Sequence, residues 1–327
     1  MYANINLEGN NYIYSGGCAA GIGFANATPN INGVENGSTL TIGGNGNLEV
    51  KGGSYAAAIG TGYTGFDAAP GAANNIIINS GNIKTLTNGS HGAGIGGGFS
   101  KGADNIIING GNIEANGNGY NAAIEGDNIT INGGDIKANA SWGGAGIGLS
   151  TATTKEGTSL KITGGNIYAT GSTNNSRRFS AIGQGYESIN IEGGTIVSYS
   201  NLHAGLYGGG NLRITGGNLL FTGLGDIGTL DADNNFVQEI GSNGTNNLYL
   251  TQIKLQNLGK GKKITSLTTS DNIVYGIKDM YTLDEGMVYV YLPAGTRTIQ
   301  VNIDGTIYSA PVTTSAGNTN VVTTLYN

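Results

Sequence analysis

With 327 residues the chain could form one extended domain or two ordinary ones, but 61 glycines beside only 11% charged residues depart from globular usage. Because 38% of the residues are hydrophobic, the glycine and asparagine density indicates repetition and not disorder. A formal net charge of -6 opposes phosphate backbones, the single Cys18 excludes an internal disulfide or thiolate metal cluster, and no run approaches the ~20 apolar residues of a membrane span. Neither nucleic acid nor membrane insertion is therefore expected.

The repeat is legible in Ile108-Asn109-Gly110-Gly111-Asn112-Ile113, which returns as Ile131-Asn132-Gly133-Gly134-Asp135-Ile136 and Ile162-Thr163-Gly164-Gly165-Asn166-Ile167. Marked by Leu7, Ile42, Ile78, Ile108, Ile131, Ile162, Ile191 and Ile214, successive spacings are 35, 36, 30, 23, 31, 29 and 23 residues. The shortest suffices for three short strands and three turns, with insertions at 63–73 and 151–159 in longer repeats. In the first strand of each coil, Ile106 and Ile108 point inward around Ile107, as do Ile129 and Ile131 around Thr130. The Gly-Gly step that follows permits positive φ at a corner.

A second strand repeats this logic with Leu48, Ile83, Ile113, Ile136, Ile167, Ile196 and Leu219 inward. Its outward Glu49, Lys84, Glu114 and Lys137 alternate in sign, which predicts opposite charges side by side on rungs stacked ~4.8 Å apart. The third strand, Ala20-Gly21-Ile22-Gly23, Ala93-Gly94-Ile95-Gly96 and Ala145-Gly146-Ile147-Gly148, implies a crowded corner through its small residues. No glycine-free segment has a helical period, and glycine follows no third-position rule, so βαβ and collagen readings fail. The reading is an all-β chain: a right-handed parallel β-helix of about seven coils with three short strands each.

From residue 247 glycine thins and Val, Thr, Tyr and Leu alternate, dividing the chain into a β-helix at 1–246 and a second domain at 247–327. Leu248-Tyr249-Leu250, Met287 to Leu292, Thr298 to Ile303 and Thr306 to Tyr308 read as strands. Pro293-Ala294-Gly295 and Asp304-Gly305 read as hairpin turns, giving a small C-terminal antiparallel β-sandwich. A solenoid end exposes apolar core and unpaired edges, so capping is the expected role.

The block Tyr281-Thr282-Leu283-Asp284-Glu285-Gly286-Met287-Val288-Tyr289-Val290-Tyr291-Leu292-Pro293-Ala294-Gly295, together with the Ala-Gly-Ile-Gly coils, resembles glycine-rich repeat surface proteins of Gram-positive, especially clostridial, bacteria. The resemblance covers nearly the whole chain and implies an extracellular, wall-associated protein, adhesin-like or carbohydrate-binding. Met1-Tyr2-Ala3-Asn4 has none of the basic and apolar regions of a secretory signal. The reading therefore expects either a cytosolic chain or part of a longer exported one, whose signal and anchor lie elsewhere.

Three sets of residues are candidates for function. Rings fall within one position of four residues before the inward residue of the third strand: Tyr55, His91, Tyr120, Trp142, Phe179 and His203. Such a column is expected either to offer a flat platform for a polysaccharide or cell-surface glycan, or simply to pack a corner. A surface protein is the alternative partner. Asp231, Asp233, Asn235 and Glu239 resemble the first ligands of a calcium loop, although Phe236 replaces the turn glycine and Ser242 the bidentate glutamate. No cofactor other than this possible calcium is expected. Glu125, Asp127 and Asp135, with Asp104 one 23-residue repeat before Asp127, are the raw material for a polysaccharide lyase or glycoside hydrolase. No partner base is apparent, and with two histidines and no serine-nucleophile motif a hydrolytic triad finds no support, so an enzyme is not expected. A structural spacer or phage tail-fibre segment is the remaining alternative.

Overall fold

The computed structural model describes residues 2–24, 38–63, 74–87, 91–99, 103–150, 155–171, 179–207, 211–223, 229–230, 236–237, 239–240, 248–316 and 321–327. Of the two expected insertions, residues 64–73 and 151–154 lie outside them, and 155–159 belong to a strand, Lys155–Ile162. The chain is all-β and dominated by two parallel sheets of eight strands each, a layout compatible with a parallel β-helix. The first sheet runs from Tyr2–Leu7 through Ala103–Ile108 and Gly126–Ile131 to Asn211–Ile214. The second runs from Asn10–Tyr14 through Asn112–Gly117 and Asp135–Ala140 to Asn218–Thr222. Each strand pairs with its counterpart one repeat away: Ile106 lies beside Ile76 and Ile129, and Ile113 beside Ile83 and Ile136. A third, narrower face is made by Ile22–Phe24, Ile59–Thr61 and Ile95–Gly96, continued by bridges from Ile95 to Ile124 and Ile124 to Ile147.

In-register stacking explains the core. A strand has period two, so pairing like with like stacks the inward aliphatic side chains of successive rungs in columns. Ile76, Ile106, Ile129 and Ile147 are all 0% exposed, and burying each such side chain contributes roughly 1.5–3 kcal/mol. The third corner is as crowded as its small residues imply. A Cβ on Gly96, at φ +124°, would lie 1.8 Å from the carbonyl oxygen of Glu125 on the next rung.

Asparagine tiers hold the outer edges. Asn109 Nδ2 donates to Asn79 Oδ1 at 2.8 Å, and Asn132 Nδ2 to Asn109 Oδ1 at 2.9 Å. Beside the second sheet, Asn47 donates to Asn10, Asn82 to Asn47 and Asn166 to Asp135. Asn47 and Asn109 each donate to one neighbouring rung and accept from the other, so the tiers reinforce the same register. Glu49, Lys84, Glu114 and Lys137 do lie rung beside rung. None of them joins the ion pairs found among the described residues, which lie elsewhere, for example between Lys155 and Asp127 at 2.6 Å. The alternation marks register without forming a salt-bridge ladder.

The C-terminal part is a β-sandwich. One sheet contains Leu248–Leu255 antiparallel to Met287–Pro293 and parallel to Val322–Leu325, and the other contains Ser266–Thr269, Gly295–Ile303 and Thr306–Thr314. Its own core includes Ile253, Val288, Val290, Ile299 and Val301, each 0% exposed. Asp304 and Gly305, at φ +50° and +88°, form the expected hairpin turn. Pro293-Ala294-Gly295 does not: the strands on either side belong to different sheets, so this segment is a corner carrying the chain across the sandwich. Arg297, 5% exposed, fixes that corner, donating from Nη1 to the Pro293 carbonyl at 3.0 Å and from Nη2 to the Ala294 carbonyl at 3.4 Å.

The sandwich meets the coils through Tyr291 and through the segment from Tyr275 to Tyr281, among other contacts. Tyr291 belongs to the coils' buried core and stacks on Phe221 with ring centroids 5.9 Å apart. The segment from Tyr275 to Tyr281 runs along the glycine corner of successive coils. Tyr275 Oη donates to the Gly217 carbonyl at 2.9 Å, Gly194 N to the Lys278 carbonyl at 2.7 Å, and Gly165 N to Asp279 Oδ2 at 2.9 Å.

Candidate functional site

Stacking of coils brings four of the six predicted rings together. Tyr55 and His91 have centroids 5.6 Å apart, His91 and Tyr120 5.0 Å, and Tyr120 and Trp142 5.4 Å, with interplanar angles of 24°, 28° and 37°. These separations are close to the ~4.8 Å rung spacing. The rings therefore lie offset face to face along the coil axis. They are not side by side as a flat platform would require, because their attachment points are themselves stacked on successive rungs. Tyr55, His91 and Tyr120 are each half-buried in this stack.

Tyr63 and Phe99 extend the cluster and were not anticipated. Tyr63 lies 5.2 Å from Tyr55, and Phe99 lies 4.7 Å from His91. The signal was present in the sequence: each follows the inward isoleucine of its third strand, Ile59 or Ile95, by four residues. The other two predicted rings sit apart. Phe179 is 2% exposed and packs on Ala122 and Ala145, and His203 contacts Tyr207 at 5.7 Å.

Trp142 ends the stack and differs from the rest. It is 47% exposed and has φ +74°, a left-handed conformation unfavourable for a bulky L-residue. On the adjoining rung Gly119 takes φ +68°, and Gly143 N donates to its carbonyl at 2.9 Å, so the neighbouring coil meets the same backbone demand with glycine. Tyr55 also has a positive φ, +62°. Strained residues of this kind persist where surroundings over-determine them, and they cluster at binding sites.

The acidic residues do not converge. The register sets Asp104 beside Asp127 on adjacent rungs, but Asp127 is paired with Lys155 and Asp104 Oδ2 accepts from Asn74 N at 2.6 Å. Asp135 lies on the second sheet, bonded to Asn166. Glu125 is 3% exposed inside the third corner and accepts from Asn121 Nδ2, Ala122 N, Ser150 N and Ser150 Oγ. Burial raises its carboxyl above the usual glutamate range despite those donors. Asp231, Asp233 and Asn235 lie outside the described residues, and Glu239 is described only as part of the short strand Glu239–Ile240. Among the described residues no group of three or more His, Cys, Asp or Glu side chains is placed to hold a metal ion.

Comparison with known proteins finds no matching family model, no matching curated protein and no matching solved structure.

Proposed function

We propose that this chain is an extracellular, cell-surface binding or adhesion scaffold that contacts carbohydrate along one face of a parallel β-helix, with the ring stack ending in Trp142 as the contact. The eight strands on two faces, against seven rungs from Ile22 to Leu206 on the third, support a count of about seven complete coils, which we take as right-handed. The sandwich caps the last coil in this reading, through Tyr291 on Phe221.

The observation that carries the proposal is Trp142. Its left-handed backbone costs about 1 kcal/mol or more relative to glycine, and the residue stays 47% exposed while its ring lies 5.4 Å from that of Tyr120. A ring retained under strain at the surface suits stacking on a pyranose face.

The test is retention of the full chain on insoluble polysaccharides and a glycan array, comparing wild type with Trp142→Gly and Trp142→Ala. Wild type is expected to be retained and both variants released, with the glycine variant about 1 kcal/mol more stable than the alanine variant because only glycine relieves the positive φ. Undiminished retention of both variants would remove the ring stack from the function. The rival reading, a polysaccharide-cleaving enzyme built on Asp104 and Asp127, predicts cleavage products that disappear in Asp127→Asn.

A further inference from the structure

A second concave site lies on a different face, where the second sheet's outer surface meets the sandwich. The cleft encloses about 620 Å³, within the roughly 300–1,000 Å³ common for small-molecule sites, which favour such junctions between units. Its sheet side carries Asn112, Asp135, Lys137, Asn166 and Tyr168, and its sandwich side carries Lys260, Tyr281 and Leu283.

The cleft is built and held rigidly. Asn112, Asp135 and Asn166 stand in one column, with Asn166 Nδ2 donating to Asp135 Oδ1 at 2.8 Å, but at the next rung Thr195 replaces the amide and faces the sandwich. Thr195 Oγ1 donates to the Asp279 carbonyl at 2.9 Å and accepts from Tyr281 N at 2.7 Å. One rung further, Asn218 donates to the Tyr281 carbonyl at 2.7 Å and accepts from Tyr289 N at 2.7 Å. The wall bearing Tyr281 is thus fixed on both sides of its peptide group before any ligand arrives, which lowers the ordering cost of binding.

The lining chemistry selects a ligand class. Tyr168, 42% exposed and projecting from its strand, offers a ring for stacking against a pyranose face. Asn112 and Asn166 offer amide groups beside it. Two of the chain's 15 basic residues, Lys137 and Lys260, line the cavity against one carboxylate, Asp135, which already accepts from Asn166. Lys260 has a solvent-exposed contact with Asp284 at 3.4 Å, which a ligand carboxylate can replace.

We infer that this cleft binds an acidic oligosaccharide, with Tyr168 under a sugar ring and the Lys137 and Lys260 ammonium groups on its carboxylates. The site is separate from the ring stack, and the inference does not depend on that stack binding anything.

The test is titration calorimetry of the full chain, at low salt, with a tetrasaccharide alternating uronate and neutral sugars, and with the same compound after its carboxyls are reduced to alcohols. Wild type is expected to bind the acidic form at least about tenfold more tightly, a difference of about 1.4 kcal/mol. Lys137→Gln/Lys260→Gln should abolish that preference, Lys137→Arg/Lys260→Arg should keep it, and Tyr168→Ala should weaken both sugars. All three side chains are exposed, so unchanged thermal unfolding is the control for folding. Absence of binding, equal affinity of wild type for the two sugars, or full binding by Tyr168→Ala would each overturn the assignment.

Discussion

At the scale of single residues, the informative positions are those where a side chain works against its surroundings. Glu125 is one. Desolvation raises its folded pKa, with hydrogen bonds from Ser150, Asn121 and Ala122 pulling the other way. A carboxyl raised on folding contributes stability that is fully present below its unfolded value, about 4.3, and is lost as pH rises through the folded value. The urea unfolding free energy of wild type minus that of Glu125→Gln should therefore fall as pH rises from about 4 toward neutrality. A pH-independent difference would mean that the buried carboxyl does not titrate as described. Arg297 is another. Truncating it removes a donor from the Ala294 carbonyl, from Thr314 Oγ1, which accepts from Nη1 at 2.8 Å, and from the Pro293 carbonyl, which keeps the Thr314 hydroxyl at 2.7 Å. Arg297→Ala is expected to cost about 3 kcal/mol in denaturant unfolding. Asp271→Asn should cost less than half as much, because the Asp271 side chain is 44% exposed and bonds Arg297 from the rim.

At the scale of elements, two devices hold neighbouring rungs together, and they tolerate change very differently. The asparagine tiers are exposed and can exchange a lost partner for water. Asn109→Ala, which removes bonds to Asn79 and Asn132, should cost about 1 kcal/mol. The third corner has no such freedom, because backbone approaches backbone there: Gly96→Ala would set a methyl group 1.8 Å from the Glu125 carbonyl oxygen. A loss of at least about 3 kcal/mol is expected for this variant, measured by the same denaturant titration. Similar costs for the two variants would show that the corner can yield. The repeating columns were readable from sequence for the same reason that they are stable. A period of two along each strand, multiplied by in-register pairing, leaves one solution for Ile106, Ile129 and Leu160.

At the scale of the whole molecule, the coils and the sandwich are coupled along the segment from Tyr275 to Tyr281. Gly276 sits against Gly216, and a Cβ on it would fall 1.9 Å from the Glu192 carbonyl oxygen. Gly276→Val is expected to lift the segment from Tyr275 to Tyr281 off the corner and to split a single calorimetric unfolding transition into two, one for each core. One unshifted transition would show that the seam contributes nothing to cooperativity. The sequence by itself determined the all-β character, the strands of the two long parallel sheets, their inward columns, the glycine corners and the Asp304-Gly305 hairpin, because each follows from local chain geometry repeated at short range. Only the tertiary structure decided that the aromatic rings stack instead of forming a platform, that Pro293-Ala294-Gly295 joins two sheets, and that a cleft opens beside Tyr168. Those features depend on contacts such as Asp279 with Gly165, 114 residues apart, and no local periodicity encodes which distant surface a segment will meet.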